Sequence, residues 1–539
     1  MKKFMLPYLI FASALIVYPQ KRLDGQAHLS ENTSVPTYTI LFNPTKYQMY
    51  LNNVGSLDWQ TSFYSTNYYN NGGFRSVGFD NGLWVVGKFA GEPRLALVEW
   101  GSQYSPGPII DDRPAMDARP QDSARYRPYK ISRGDNAVTN RDYAQWPSDL
   151  GAPLSQGEPR LYGDQTVWMV YNADDTTAGQ WRKNKKSLPP LPFEIHETIY
   201  GFDHDSLLSN VVFLEWEIIN KGVSVLDSGF VSLWSDIDFC GAYENTPAID
   251  TVNQLGYCWN KKDEPEFGWS ATPAVGYTLL YGPEVPSLND TAVVENKRVA
   301  GKKNLPLSSS WGFSDDSYPE IQTYGPAWDV PSAWNNARGL TPKGLPIIDS
   351  VTRRVTKFPF SGNPVDSSGW LFDASTSGGA GINLFSGPFT MQPGDTQWVL
   401  VAFVVGVGSD RYNSITELKT MTNKLRSLPY SQQSLTTIDN RVAQQPKEFS
   451  LFQNFPNPFN PSTSIEYALP VKSRVLLQVF NILGQRVTIL YEGEQAAGYQ
   501  KVLWNANESS GMYFYRIDAV SVSDPNIHFM QVKKMLVLK

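Results

Sequence analysis

The sequence predicts an all-β protein: a large β-sandwich-like body with one covering helix, followed by a second, smaller C-terminal sandwich. Three observations lead there. Charged residues make up only 18% of the 539-residue chain while aromatics reach 13%, a balance that suits pleated, half-buried surfaces. Turn formers are abundant, with 41 Gly and 38 Pro, and these punctuate a chain into short strands. From about residue 36 to 410, short apolar runs alternate with clusters of turn residues. Acidic residues outnumber basic ones, 52 against 46, for a net charge of −6. That balance offers no basic surface to a nucleic-acid backbone, so nucleic acid is not an expected partner.

The first segment, 1–27, reads as a signal peptide. Lys2 and Lys3 form a short basic region, and Phe4 to Tyr18 is apolar apart from Pro7 and Ser13. The run is too short to span a bilayer as a helix. Gly25-Gln26-Ala27 places small residues at −3 and −1, which points to cleavage after Ala27. An uncleaved anchor is the alternative. No other stretch has the roughly 18 apolar residues of a spanning helix, so no transmembrane span is expected in the mature chain.

The body, 28–429, leaves room for two subdomains. Tyr38 to Phe42, Leu83 to Val86, Leu95 to Val98 and Val167 to Tyr171 are strand-like. Glu194 to Tyr200, Val211 to Ile219 and Phe230 to Trp234 predict an antiparallel meander with turn chemistry between them. Gln397 to Val407 is almost continuously apolar, as in a strand buried on both faces. One helix is expected. Ser414-Ile415-Thr416-Glu417 has the spacing of a capping box, with Ser414 as the cap. Ile415, Leu418, Met421, Thr422, Leu425 and Leu428 then recur at helical intervals until Pro429. Gln103 to Gly134 and Gly325 to Pro346 predict long loops. The polar stretch 430–448 reads as a linker.

The last segment, 449–539, predicts six or seven short strands in about ninety residues, the pattern of an immunoglobulin-like sandwich. Five blocks stand out: Gln453-Asn454-Phe455-Pro456-Asn457-Pro458-Phe459-Asn460-Pro461-Ser462-Thr463, then Val479-Phe480-Asn481-Ile482-Leu483-Gly484-Gln485, Ala497-Gly498-Tyr499, Ser510-Gly511-Met512-Tyr513-Phe514-Tyr515-Arg516, and Lys533-Lys534-Met535-Leu536-Val537-Leu538-Lys539. Together they closely resemble the type A C-terminal sorting domain of the type IX secretion system. The resemblance covers about a sixth of the chain. It implies recognition by the type IX outer-membrane machinery through a motif that includes Asn454, Pro456, Asn457, Pro458, Asn460, Pro461, Gly484, Gly498 and Gly511. It also implies passage through the periplasm to the outer surface or surroundings of a Gram-negative bacterium, with removal of the tail or attachment to surface lipopolysaccharide as known fates. Val520 to Ile527 is longer than the usual final hairpin, which puts the last strand pairing in question. The body is similar to other large secreted proteins with this tail in Gly163 to Trp168, Trp234 to Tyr257 and Ser386 to Gln397, which implies architecture and export only.

Chemistry in the body has few candidates. There are four histidines, His28, His196, His204 and His528, and no G-x-S-x-G elbow, Walker loop or dinucleotide fingerprint. His196-Glu197 opens like a zinc-protease motif, but Tyr200 stands where the second histidine belongs. Asp236 and Asp238, with Glu244 and Asp250 nearby, form a candidate Ca²⁺ site of hard oxygen ligands. Capping of loop turns is the alternative, as it is for Asp203-His204-Asp205. Cys240 and Cys258 are the only cysteines, and an oxidising compartment would permit a disulfide between them or leave two thiols. The expected role of the body is structural or binding, with glycans or lipopolysaccharide as candidate partners and no certain cofactor. A polysaccharide-degrading enzyme is the alternative. A groove lined by exposed aromatics and facing carboxylates would favour the enzyme, and a closed body with buried aromatics would favour the structural role.

Overall fold

The computed structural model describes residues 27–28, 37–44, 46–57, 66–70, 73–99, 102–175, 189–203, 207–240, 245–265, 269, 271–295, 297–314, 330–372, 380–428, 448–452, 454, 459, 462–506 and 508–537. The signal peptide up to residue 26 and almost all of the 430–448 linker lie outside them. Strand makes up 54% and helix 11%, so the all-β class holds. The chain divides into two compact units, Met1–Ala292 with Gly301–Arg426, and Val293–Ala300 with Ser427–Lys539.

Two large antiparallel sheets build the body. Their strands are β1 (Asp80–Phe89), β2 (Glu92–Leu97), β3 (Tyr129–Ser132), β4 (Gln165–Asn172), β5 (Phe193–Gly201), β6 (Val211–Asn220), β7 (Leu226–Asp236), β8 (Asn245–Asp250), β9 (Leu255–Asn260), β10 (Ala274–Tyr281), β11 (Leu307–Ser314), β12 (Ala380–Met391) and β13 (Thr396–Gly406). Helix α1 (Val330–Ala337) lies between β11 and β12, and α2 (Arg411–Arg426) follows β13. One sheet has nine strands, in the order β3-β4-β5-β6-β13-β10-β9-β8, with Ser105–Pro106 paired to β4. The other has five, in the order β11-β12-β7-β1-β2.

Alternation decides which faces meet. Ile195 and Ile199 of β5, Leu214, Trp216 and Ile218 of β6, and Val399, Val401 and Phe403 of β13 point to one side of the nine-stranded sheet. They share a core with Leu83 and Val85 of β1, Val231 and Leu233 of β7, and Ile382 and Leu384 of β12. Two apolar faces so joined are a β-sandwich. The outer faces are covered too. On the five-stranded sheet, Trp84, Phe230, Trp234, Trp311 and Phe385 pack with Ala333 and Ala337 of α1 and with Phe360, Trp370 and Phe372 of the loops after it. On the nine-stranded sheet, Trp168 and Val170 pack with Trp146 and Ala152 of the β3–β4 excursion.

The predicted meander is corrected at its third strand. β5 and β6 pair, with Phe193 opposite Asn220 and Gly201 opposite Val212. β7 then crosses to the other sheet, between β12 and β1. The physical reason is β13, which occupies the second edge of β6 from Val211–Val404 to Ile219–Thr396. The helix is also corrected at its start. Asp410, not Ser414, caps it: its Oδ1 accepts from the N–H groups of Tyr412 and Asn413, both at 2.9 Å. Ser414 is buried inside the first turn, its Oγ accepting from Gly408 N–H at 3.0 Å.

The tail is a second sandwich. A three-stranded sheet joins β14 (Ser450–Leu451), β15 (Ser462–Leu469) and β18 (Gly498–Asn505). A four-stranded sheet joins β17 (Arg486–Gln495), β16 (Ser473–Asn481), β19 (Gly511–Ser521) and β20 (His528–Val537), in that order. The two share one core, including Ile465 and Tyr467 from the first and Val475, Leu477, Tyr515 and Ile517 from the second. Seven antiparallel strands split three and four, around alternating inward residues, is the expected immunoglobulin-like architecture. The final pairing is regular, running from Gly511–Val537 to Val520–His528. The extra residues form a turn in which Asp524 Oδ1 accepts from Asn526 N–H at 3.0 Å.

Leu418 faces the sheet from α2 and is fully buried. Leu418→Ala should cost about 2–5 kcal/mol, read as a lower unfolding midpoint of the full chain, whereas exposed Glu417→Ala on the same helix should leave the midpoint unchanged.

Candidate functional site

The sorting-motif residues of the tail fall into a structural set and a turn set. Asn454 is buried, donates from its backbone N–H to Tyr515 Oη at 2.8 Å, and donates from Nδ2 to Thr463 Oγ1 at 2.9 Å. Tyr515 in turn donates to the Phe452 carbonyl at 2.7 Å. Asn454 thus ties the entering strand to β19 and β15. Phe459 donates its N–H to the Leu536 carbonyl at 3.0 Å and packs its ring on Trp504, 5.5 Å between centroids. Pro456, Asn457, Pro458, Asn460 and Pro461 lie outside the described residues. Gly484 closes the β16–β17 turn at φ 73°, a left-handed conformation that a β-carbon disfavours. Asn481 holds that turn, its Oδ1 accepting from Leu483 and Gln485 N–H groups at 3.0 Å each. Gly498 and Gly511 open β18 and β19.

Tyr513, near the start of β19, donates to the Ser509 carbonyl four residues upstream at 3.0 Å. This is the tyrosine corner found in immunoglobulin-like sandwiches. Sequence reasoning gave Tyr513 and Tyr515 no role. The alternation Met512-Tyr513-Phe514-Tyr515, with every second residue inward, was the signal available.

In the body, the structure does not bring Asp236, Asp238 and Asp250 together. Among the described residues no group of three His, Cys, Asp or Glu side chains is arranged to hold a metal ion. Asp236 ends β7, directly opposite Asp80 of β1, and its carbonyl accepts from Phe79 N–H at 3.0 Å. The Asp238 carbonyl accepts from Ser76 Oγ at 3.0 Å. Asp250 caps the β8–β9 turn: Oδ1 accepts from Val252 and Asn253 N–H groups at 3.1 Å each, and Oδ2 pairs with Lys419 at 3.3 Å. Burial pushes this carboxyl up, but the bonds from Asn253 and the Lys419 charge outweigh it and hold it below the usual range. Glu244 lies outside the described residues, as do His204 and Asp205, while Asp203 N–H donates to Asp164 Oδ2 at 2.6 Å.

No disulfide joins Cys240 and Cys258 in the structure. Cys258 is buried on β9 opposite Pro247 of β8, and Cys240 lies after β7 with a left-handed backbone, φ 54°. Burial, reinforced by the charges of Asp236 and Asp238, pushes the Cys258 thiol well up. In this geometry Cys258 should resist alkylation in the native protein, and should react at neutral pH only after denaturation. Counting alkylated cysteines by mass, before and after denaturant and reductant, checks both this and the absence of a bridge.

A buried ionic cluster in the body surrounds His196. On β5, His196 and Glu194 share a face, and Glu217 of β6 stands directly opposite His196. Nδ1 lies 2.8 Å from Glu217 Oε2 and Nε2 lies 2.9 Å from Glu194 Oε1. Glu194 Oε2 also accepts from Ile109 N–H at 2.8 Å. Gly151 lies over the ring with φ 101°, where an added Cβ would sit 2.4 Å from His196 Cε1. Burial alone would lower the imidazole, but the hydrogen bonds and charges of Glu194 and Glu217 raise it to about 9. Each ring nitrogen thus faces a carboxylate oxygen, an arrangement that favours the imidazolium. Glu197 points the other way, into the core, where burial pushes it up to about 8 and Tyr171 Oη donates to Oε2 at 3.1 Å. Strand geometry thus places His196 and Glu197 on opposite faces of one sheet.

These shifts set a pH dependence. The raised His196 contributes stability that is complete below the unfolded value near 6.5 and is lost as pH rises through about 9. The raised Glu197 makes the folded state hold a proton that the unfolded state releases, so stability also falls from about 4.5 to about 8. The melting temperature should therefore be higher near pH 6 than near pH 9, roughly the window these groups span. Glu197→Gln should remove the lower part of that fall and leave the part near 9; a thermal melt series checks both.

Residues 453–524 match the family model for the secretion-system C-terminal sorting domain. No curated protein matches the chain. Among solved structures, a polysaccharide lyase is 10% identical with a TM-score of 0.17, covering 64% of this chain and 34% of its own. Dimeric latent PorU from Porphyromonas gingivalis is 13% identical with a TM-score of 0.15, covering 69% of this chain and 31% of its own. The chain therefore spans about a third of either protein, 34% and 31%, and neither likeness bears on function. The sorting domain marks the chain for export by type IX secretion, across the outer membrane to the cell surface or beyond. Among the described residues no helix is long and apolar enough to cross a membrane.

Proposed function

We propose that the body is a structural or binding module, carried out of the cell by its sorting tail and acting at the cell surface or outside it. The observation that carries the reading is the way the body uses its chemistry. Of the described tryptophans, only Trp334 and Trp398 are not buried. Trp84, Trp168, Trp216 and Trp234 fill the layers of the sandwich instead of offering rings to a sugar. The carboxylates around β5 are occupied: Glu194 and Glu217 by His196, and Glu197 by Tyr171. A cavity between the sheets, lined by Leu83, Trp216, Leu233, Leu279 and Val401, is internal and apolar.

These features support a closed scaffold over a hydrolase or lyase cleft, which needs two carboxyl groups facing a substrate. Glycans and surface lipopolysaccharide are the partners this reading assigns to the exterior of the body. Two measurements test it. Deleting residues 449–539 should leave the protein in the periplasm, and surface delivery without the tail would refute the sorting assignment. A glycan-array and polysaccharide-turnover screen on the purified full chain should give binding without products. Cleavage products would overturn the structural reading and establish the enzyme.

A further inference from the structure

Four of the five sorting-motif blocks, far apart in sequence, meet at one end of the tail sandwich. Phe459 pairs with Val537 and bonds to the Leu536 carbonyl. Met512 stands opposite Leu536 across β19 and β20, and Asn481 stands opposite Tyr513 across β16 and β19. The β16–β17 turn therefore projects from the same end as the start of β19 and the end of β20. The remaining block lies at the other end, where Gly498 faces Leu469.

This end carries apolar side chains in water. Ile482 is 69% exposed, Leu483 76%, Met512 48% and Leu536 36%. Ile482 and Leu483 occupy the centre of a five-residue turn, where polar residues ordinarily stand. The turn is not loose. The Asn481 side chain accepts two backbone N–H groups, its Nδ2 donates to Gln485 Oε1 at 2.9 Å, and Gly484 supplies the left-handed step. Built in this way, the turn holds two adjacent apolar side chains outward at the entropic cost of a fixed loop. The flanking charges in the pairing are mainly basic. Arg486 follows the turn opposite Phe480, Lys534 lies in the same row beyond Phe514, and Arg516 lies two residue pairs further along the sheet, opposite Gln478.

We propose that this end of the sorting sandwich is the surface gripped by an integral outer-membrane protein of the secretion machinery, with Ile482 and Leu483 entering an apolar pocket whose rim is acidic. The proposal rests on the reading of the tail as the sorting signal and adds which face is read. Apolar anchors ringed by charge are the usual form of a specific protein contact, whereas an acidic lipopolysaccharide surface would select for the cations alone.

The test uses the full chain in a bacterium that carries the machinery. Ile482→Ser with Leu483→Ser should keep the melting temperature of the native protein, because both side chains are exposed, and should lower surface delivery about tenfold or more. Ile527→Ser, at the opposite end of the sandwich and also partly exposed, should be delivered normally. A photoreactive residue at position 483 should cross-link to an integral outer-membrane protein, and the same residue at position 527 should not. Normal delivery of the double variant overturns the proposal, as do cross-links from position 483 only to lipopolysaccharide or only to a second copy of the chain. If the double variant melts early, Met512→Ser on a separate strand replaces it, and its normal delivery overturns the proposal equally. Surface delivery after deletion of 449–539 would instead overturn the underlying sorting assignment, so the two failures are distinct.

Discussion

Strand β13 carries no charged side chain, and the body is arranged to keep both of its faces dry. It lies between β6 and β10 in the middle of the nine-stranded sheet. Val399, Val401 and Phe403 enter the inter-sheet core, and Leu400, Ala402 and Val404 are buried on the other side. A large apolar side chain moved from water to such a site contributes about 1.5–3 kcal/mol, so exposing either face would forfeit much of the body's stability. Each covering element answers to this demand. The five-stranded sheet closes one face, and α2 packs Ile415, Leu418 and Leu425 inward beside β13. The departure of β7 from the predicted meander follows from the same strand, because β13 already occupies the second edge of β6 and β7 buries both of its faces in the other sheet.

The ionic groups around His196 are buried with neighbours that hold them. His196 sits between two carboxylates, with Glu194 further bonded to Ile109 N–H. A buried pair of this kind adds little to stability compared with an apolar substitute, yet removing one member is expensive because the other charge is left behind. Its value is positional: Glu194 reaches Ile109, and Gly151 of the β3–β4 excursion lies against the imidazole. The triad thereby fixes long loops on the outer face of the sheet. Glu197, next in sequence but on the opposite face of the strand, meets burial differently: its pKa is pushed up to about 8.

Much of this was legible in the sequence where the signal is local. Val167 to Tyr171 and Gln397 to Val407 form strands as their texture predicts, and Ile415, Leu418, Thr422 and Leu425 line one face of α2 as their spacing predicts. Partner choice was not legible. Alternation in Phe230 to Trp234 specifies two faces but not which sheet the strand joins. Ser414 and Asp410 are both competent caps, and only the buried position of Ser414 separates them. The Glu194–His196 pair is visible at i,i+2 on a strand, but Glu217 enters through the β5–β6 register, which no single sequence states. The tail was the most readable segment because its motif blocks sit in turns and strand ends, where backbone conformation constrains residue type directly.

The two units differ in where their chemistry is spent. In the body, the described aromatic rings fill layers, and the carboxylates around β5 answer to His196 and Tyr171. In the tail, Asn454, Tyr513 and Tyr515 bond inward to hold the sandwich, while Asn481 and Gly484 spend their bonding and backbone freedom on a turn that holds apolar side chains outward. Stability alone does not explain that expenditure. A polar turn would close the same hairpin without leaving Ile482 and Leu483 in water. The physical reason proposed above for keeping them there is an encounter with a second apolar surface, and the sorting domain is the part of the chain that implies interaction with the secretion machinery.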